Sequence, residues 1–243
     1  MQYILRYKII FISSFILMLT LNANAQLRNE LNLMEHDEKP FHFGIHLGFN
    51  RSHYNILHSQ KFLLFDSINV IESVNSTGIN LAWLVNMRLG NHLDIRTFPL
   101  NLVFTEKVFQ YSLKTPDETR DELPVTTKKI QGITLALPIQ LKFSSDRIQN
   151  FKAYMMAGGR IEYDLAANAS KKKTEDAITL QKFDYGIEAG MGFHFYFPVF
   201  VLTPEIKINY GLRNVKSTSN TTKYSSAIDV INSRSITFSL TVE

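Results

Sequence analysis

Residues 183–197 alternate without a break. Phe183, Tyr185, Ile187, Ala189, Met191, Phe193, Phe195 and Phe197 fall on one side of an extended chain. Asp184, Gly186, Glu188, Gly190, Gly192, His194 and Tyr196 fall on the other. The run is long for a soluble strand, which usually has about 5–6 residues. It is ample for a membrane-spanning strand, which needs about 9–11. Seven further segments alternate in the same way. They are His42–Asn50, Gly78–Leu89, Leu93 to about Tyr111, Ile130–Phe143, Phe151–Leu165, Phe200–Leu212 and Ser235–Val242. Eight is an even count, as single-chain outer-membrane barrels require.

The connections alternate in length. Residues 51–77, 112–129, 166–182 and 213–234 are long; Gly90-Asn91-His92, 144–150 and Pro198-Val199 are short. A transmembrane barrel has this rhythm, with short periplasmic turns and long external loops. The pattern predicts an all-β fold: an eight-stranded antiparallel up-and-down transmembrane β-barrel with both termini periplasmic. Arg88, Asp94, Arg96, Arg160, Glu162, Asp164, Asp184, Glu188, Glu205 and Lys207 project from the polar faces. Inside eight strands there is room for side chains and little else. Mixed charges are therefore expected to pair in a plugged lumen. Gly158, Gly159, Gly186, Gly190 and Gly192 suit strongly curved strands. Pro99, Pro138 and Pro204 fall inside proposed strands and cannot donate to the ladder; bulges at a common height are expected there.

The N-terminus supports export. Arg6 and Lys8 precede an apolar stretch from Ile9 to Leu21, and Ala23-Asn24-Ala25 follows as a small-x-small site. This predicts a cleavable signal over 1–25, a periplasmic segment over 26–41 and the barrel over 42–243. No other segment offers the roughly 18 apolar residues of a spanning helix. Cysteine is absent, so neither disulfides nor a lipid-modified cysteine are expected. With 45% hydrophobic and 20% charged residues, composition fits a soluble domain and a membrane barrel alike. The net charge of +4 includes Arg6 and Lys8, so the mature chain is too weakly basic to suggest nucleic acid. Lys171-Lys172-Lys173 reads as a solvated external run, with a lipopolysaccharide contact as the sharper alternative.

Chemical motifs are thin. The seven histidines form no His-Glu-x-x-His spacing. His42, His46 and His194 fall on lumen-side positions. His42 and His46, four apart on one face, can in principle approach one metal, but polar lumen filling or a rim position is the simpler expectation. Thr105-Glu106-Lys107 reads as a salt-paired strand end before it reads as a site. No nucleophile elbow, phosphate loop or dinucleotide fingerprint is present. No catalytic, cofactor-binding or metal residue is expected, and no enzyme.

Several motifs taken in order carry a resemblance. They are residues 42–48 (His-Phe-Gly-Ile-His-Leu-Gly), 104–111 (Phe-Thr-Glu-Lys-Val-Phe-Gln-Tyr) and 137–147 (Leu-Pro-Ile-Gln-Leu-Lys-Phe-Ser-Ser-Asp-Arg). Asn150–Leu165 with Gly158-Gly159, Pro204-Glu205-Ile206-Lys207, Gly211-Leu212-Arg213-Asn214, and Ala227-Ile228-Asp229 followed by Ser233-Arg234 complete the set. Across nearly the whole mature chain this resembles the PorT family of the type IX secretion system. The sequence departs from the family at Leu100, where Gly is favoured after the proline. It also ends in Val242-Glu243, where many outer-membrane proteins carry an aromatic residue. The resemblance implies a non-enzymatic outer-membrane barrel needed for type IX protein secretion and often for gliding motility. Its partners would be other secretion subunits, met through loops or the segment 26–41, and membrane lipid. The alternative is a free-standing small barrel with an adhesive or envelope-stabilising role. A barrel enzyme and a soluble periplasmic barrel holding an apolar ligand are the remaining readings.

Overall fold

Every expected strand forms, and most run further than expected. In the computed structural model, residues 31–59, 68–114, 123–166, 180–217 and 228–243 are described. The strands are β1 (Phe41–His58), β2 (Ile68–Val74), β3 (Ser76–Arg88), β4 (Leu93–Leu113), β5 (Val125–Ser144), β6 (Phe151–Asp164), β7 (Phe183–Tyr196), β8 (Val201–Gly211) and β9 (Ile228–Val242). Antiparallel ladders run in the order β4-β3-β1-β9-β8-β7-β6-β5, and the β4–β5 pairing closes the ring. β2 does not enlarge it. It lies just before β3 in the chain, beyond Asn75, and pairs with the outer half of β4, Val74 opposite Val108. The ring therefore has eight strands, and the seam that shuts it joins first to last, Ile45 opposite Val242. The expected signal over 1–25 and the lysine run at 171–173 lie outside the described residues.

The sequence puts apolar side chains outside and polar ones inside over one band only. On β1, Phe43, Ile45, Leu47 and Phe49 face out while His42, His46 and Asn50 are buried inside. Trp83 (57% exposed), Ile139 (59%) and Phe143 (62%) face out elsewhere in the band. Such exposure of large apolar groups around a whole ring suits hydrocarbon, not water. On β5 the outward apolar run Ile133–Phe143 covers about 33 Å of strand, or about 25 Å of height at the tilt usual in barrels. The rim of the band is one register row: Phe238, Phe49, Ile79, Phe104 and Ile133 are successive cross-strand neighbours. One pleat further, the outward positions become Arg51, Thr77, Glu106 and Gln131, with Ile236 of β9 still apolar and Arg234 following it two residues on.

Beyond that row the faces exchange roles. Tyr54, Ile56, Phe109, Tyr111, Ile130 and Ile231 now point inward and pack with Ile71, Leu113, Leu180, Val215 and Ile228. β4 and β5, at 21 and 20 residues, carry the barrel well past the band. The long loop expected over 51–77 is thus largely strand, in β1, β2 and β3. Its outward face is mixed, with Arg51, His53 and Glu72 beside exposed Leu57, Val70 and Val74, and its inward face is largely apolar, so it does not continue the pattern below it.

At the other end the turns are short. They cross at 89–92, 145–150 and 197–200, and stacked rings mark the level: Phe151 on Phe193 at 5.5 Å and Phe197 on Phe200 at 4.8 Å. Aromatic girdles occupy such edges.

The prolines behave in two ways. Pro99 sits in a bulge seen from both neighbours, with register shifts against β3 between Trp83 and Val85 and against β5 between Thr97 and Asn101. Pro138 faces that bulge, and its carbonyl accepts from Thr97 Oγ1 at 2.8 Å. At Pro204 the expected bulge is absent. The β7–β8 pairing skips Thr203–Pro204 and resumes in unchanged register, so the missing donor falls in an open stretch of ladder. Gly158 has the expected crowding: a Cβ there would collide with the Ile139 carbonyl. Gly159 does not. It faces outward into open space, and nothing in its surroundings requires glycine.

Candidate functional site: the filled lumen and its mouth

The inward side chains form layers along the axis. The middle layer centres on Glu205 of β8. Arg96 of β4 donates to it at 2.5 Å, Tyr154 of β6 at 2.6 Å, and Lys207 stands 3.5 Å away. Both charged groups of the Arg96–Glu205 pair are essentially inaccessible. Such a pair is stable only if its spare lone pairs and protons are also met. Here Arg96 also reaches Tyr154 at 3.3 Å and Lys207 donates to His46 Nε2 at 3.2 Å, while Arg96 Nε stays buried without a hydrogen-bond partner. Phe98 slots between them, with the Arg96 guanidinium 4.8 Å and the Lys207 ammonium 4.7 Å from its ring centre. With Ala82 and Leu84 it makes a small apolar cluster inside the lumen. The bulge at Pro99 gives this cluster room, since β4 gains residues there relative to both neighbours.

Towards the long-connection end, Gln140 bonds Glu188, Arg160 pairs Glu162 at 2.8 Å, Lys107 pairs Asp164, and Asn50 bonds Asn80 at 2.6 Å. A cavity of about 80 Å³ remains among these groups. Next to it lies the apolar cluster that includes Phe109, Tyr111, Ile130 and Ile231. Of the charges read from the sequence, Asp94, Arg96, Arg160, Glu162, Asp164, Glu205 and Lys207 stand in ion pairs, whereas Arg88 bonds the Gly90 carbonyl, Asp184 accepts from Ser233 and Glu188 from Gln140. Lys107 and Lys142 belong to the same network, the latter 3.2 Å from Asp94. Of the Thr105-Glu106-Lys107 segment, only Lys107 enters the lumen as half of an ion pair; Glu106 faces out.

The short-turn end is floored by the chain ahead of β1. A one-turn 3-10 helix, His36–Glu38, lies across the mouth. Asp37 is its anchor: it accepts from Tyr196 Oη at 2.7 Å and pairs with Arg147 and Lys152, each at 3.4 Å. Arg147 lies 3.7 Å above the Tyr196 ring and donates to the Asn32 carbonyl. The Asn32 backbone N–H in turn donates to Asn150 Oδ1 at 2.9 Å. Burial pushes the Asp37 carboxyl up, but the Tyr196 hydroxyl, Lys152 and Arg147 together hold it below the usual range. Burial, reinforced by neighbouring His42, holds the His36 imidazole below its ordinary value.

The three lumen histidines part company. His46 Nδ1 meets Thr241 at 2.8 Å, and His194 Nδ1 meets Thr203 at 2.9 Å; both are interior filler. The structure does not bring His42 and His46 to a common point. It brings His42 instead to His36, rings 4.3 Å apart, and to Glu243. Ligand atoms of these three residues lie within 4.8 Å of one another. His36 precedes the alternating pattern and Glu243 follows it, so only ring closure reveals the group. Among the described residues no helix is long and apolar enough to cross a membrane.

Comparison with known families gives a match to the outer membrane protein beta-barrel domain over residues 24–217. Comparison with curated proteins gives no match. Among solved structures, Neisserial surface protein A aligns over 84% of this chain and 99% of its own, at 10% identity and a TM-score of 0.43. OprG from Pseudomonas aeruginosa aligns over 82% and 92%, at 13% identity and a TM-score of 0.40. The attachment invasion locus protein Ail of Yersinia pestis aligns over 82% and 96%, at 11% identity and a TM-score of 0.37. At such scores these likenesses add nothing to the strand ladder, which closes the barrel by itself.

Proposed function

The chain belongs to the outer membrane protein beta-barrel domain family, and from that premise we propose that it is a non-enzymatic accessory or assembly component of type IX protein secretion. The barrel anchors the protein, and its end surfaces bind partner subunits. The observation that carries the anchor reading is the closed interior. Among the described residues, a lumen filled by Arg96, Glu205 and their neighbours, floored by His36–Glu38 and continued by the apolar cluster of Phe109 and Ile231, leaves no passage for a polypeptide. Work must therefore be done on the outside.

The secretion assignment is supported by the ordered motifs that resemble the PorT family, and those motifs have definite duties. Gln140 and Lys142 line the lumen, Arg147 and Asn150 hold the floor, and Glu205 and Lys207 form the central layer. Asn214 ties two motifs together: its amide donates to the Asp229 carbonyl at 3.0 Å and its oxygen accepts from the Ile231 amide at 3.1 Å. In this reading the signal over 1–25 directs export, the short-turn end faces the periplasm, and the docked segment 32–39 is part of the partner surface. Deleting the gene should abolish secretion of the system's cargo, and a pull-down from detergent extract should recover other secretion subunits. Normal secretion with no such subunits recovered overturns the proposal and favours a free-standing adhesive or envelope-stabilising barrel.

A further inference from the structure

We propose that His36, His42 and Glu243 form a binding site for one divalent cation of the zinc class at the floored mouth of the barrel. Two imidazole nitrogens and a carboxylate oxygen are the donors that suit zinc, cobalt and nickel rather than calcium or magnesium. Their ligand atoms already lie within 4.8 Å of one another. Around a tetrahedral zinc, neighbouring donors stand about 3.3 Å apart. Closing the difference takes side-chain rotation of about 1–1.5 Å at a mouth rather than a shift of the ladder.

A second observation points the same way. The Nδ1 atom of His36 is buried and has no hydrogen-bond partner. Buried polar nitrogens without a partner are rare and costly, and a bound ion is one of the standard reasons for one. Of the cations lining the cavity, Lys142 is matched by Asp94 at 3.2 Å and Lys152 by Asp37 at 3.4 Å, and Arg88 is turned to the Gly90 carbonyl and Asn91. His36, His42 and Glu243 line a cavity of about 20 Å³. That is room for a single water-sized occupant. Three protein ligands leave a fourth position open.

The ligands come from three places that the fold alone unites: the 3-10 turn, the start of β1 and the residue after β9. A cation there would pin the floor of the barrel to the seam where first and last strands meet.

The test is a titration of Co²⁺ into the full chain folded in detergent, read by the visible absorption of tetrahedral cobalt, with Zn²⁺ as competitor. One saturable site per chain is expected. His36→Ala, which lies outside the strand ladder, should weaken the affinity at least about tenfold, as should Glu243→Gln. His46→Ala, one pleat pair deeper on the same strand, should leave it unchanged. Zn²⁺ should also slow proteolysis within residues 32–39, and a chelator should restore it. No saturable binding by the unmodified chain, or equal affinity after His36→Ala, overturns the proposal. So does a loss on His46→Ala equal to that on His36→Ala.

Discussion

Glu205 is the residue on which most of the interior depends. It faces two cations, Arg96 and Lys207, and takes the Tyr154 hydroxyl as well. Removing its charge by Glu205→Gln leaves two buried cations with no counter-ion between them. The expected cost is about 3–5 kcal/mol in urea unfolding from detergent or lipid. Arg96→Met removes less, because Glu205 keeps Lys207 and Tyr154; about 1–3 kcal/mol is expected. Equal losses for the two variants would contradict this division of labour. The charges at these positions were legible from sequence, since alternation put Glu205 and Lys207 on the polar side of their strand. Their partner Phe98 was not. It is apolar, so although it keeps the inward parity of Asp94 and Arg96 it does not read as a lumen residue; the bulge at Pro99 reverses the parity only beyond it, turning Leu100 outward and Asn101 inward.

Among the elements, the band of outward apolar residues makes a quantitative demand. Leu137→Arg places a charge near the middle of the band and should cost about 2–4 kcal/mol in unfolding from lipid vesicles. Gln131→Arg, on the same strand and the same face but past the rim row, should cost close to nothing. The same exchange of faces explains what the sequence hid. A search for outward apolar alternation ends at Asn50 on β1 and begins again at Gly78, because Tyr54 and Ile56 turn the apolar side inward. The strand in between, β2 included, therefore reads as loop. The floor element was equally hidden, being one short turn stabilised by Arg147, Lys152 and Tyr196 from distant strands.

The floor should also respond to pH. Docking favours the neutral form of His36, whose charged neighbours are Asp37, Lys39, His42 and Glu243. Its contribution is complete above about 6.5 and is lost as pH falls from there. Docking favours the ionised form of Asp37, held by Tyr196, Lys152 and Arg147. That contribution is complete above about 3.9 and is lost as pH falls through the lowered value. Both act in one direction, so a fluorophore on Glu35→Cys should report release on acidification, in two steps. Tighter docking at pH 5 than at pH 7 would contradict this.

At the scale of the whole molecule, the described residues fill the ring with side chains and lay His36–Glu38 across its short-turn mouth. Reconstituted in a planar bilayer, the chain should show none of the large steady conductance steps of a porin; their appearance would contradict the filled lumen. The ring itself was legible because eight segments and the rhythm of long and short connections both point to it. The mouth was less so, since closure of the seam is what brings His36 and Glu243 to His42.

The interior bonds have a temporal meaning. Arg96 and Glu205 are 109 residues apart, His46 and Lys207 are 161, and each pair joins strands that are not ladder neighbours. Neither bond can form while the sheet is open and its edges far apart. Both can be added only once the strands have curled into a ring. Substitutions such as Glu205→Gln should then leave the rate of folding almost untouched and appear as faster unfolding. The charged interior is, in that sense, a lock that engages only after the ring has closed, and it governs how long the protein stays folded more than how fast it arrives.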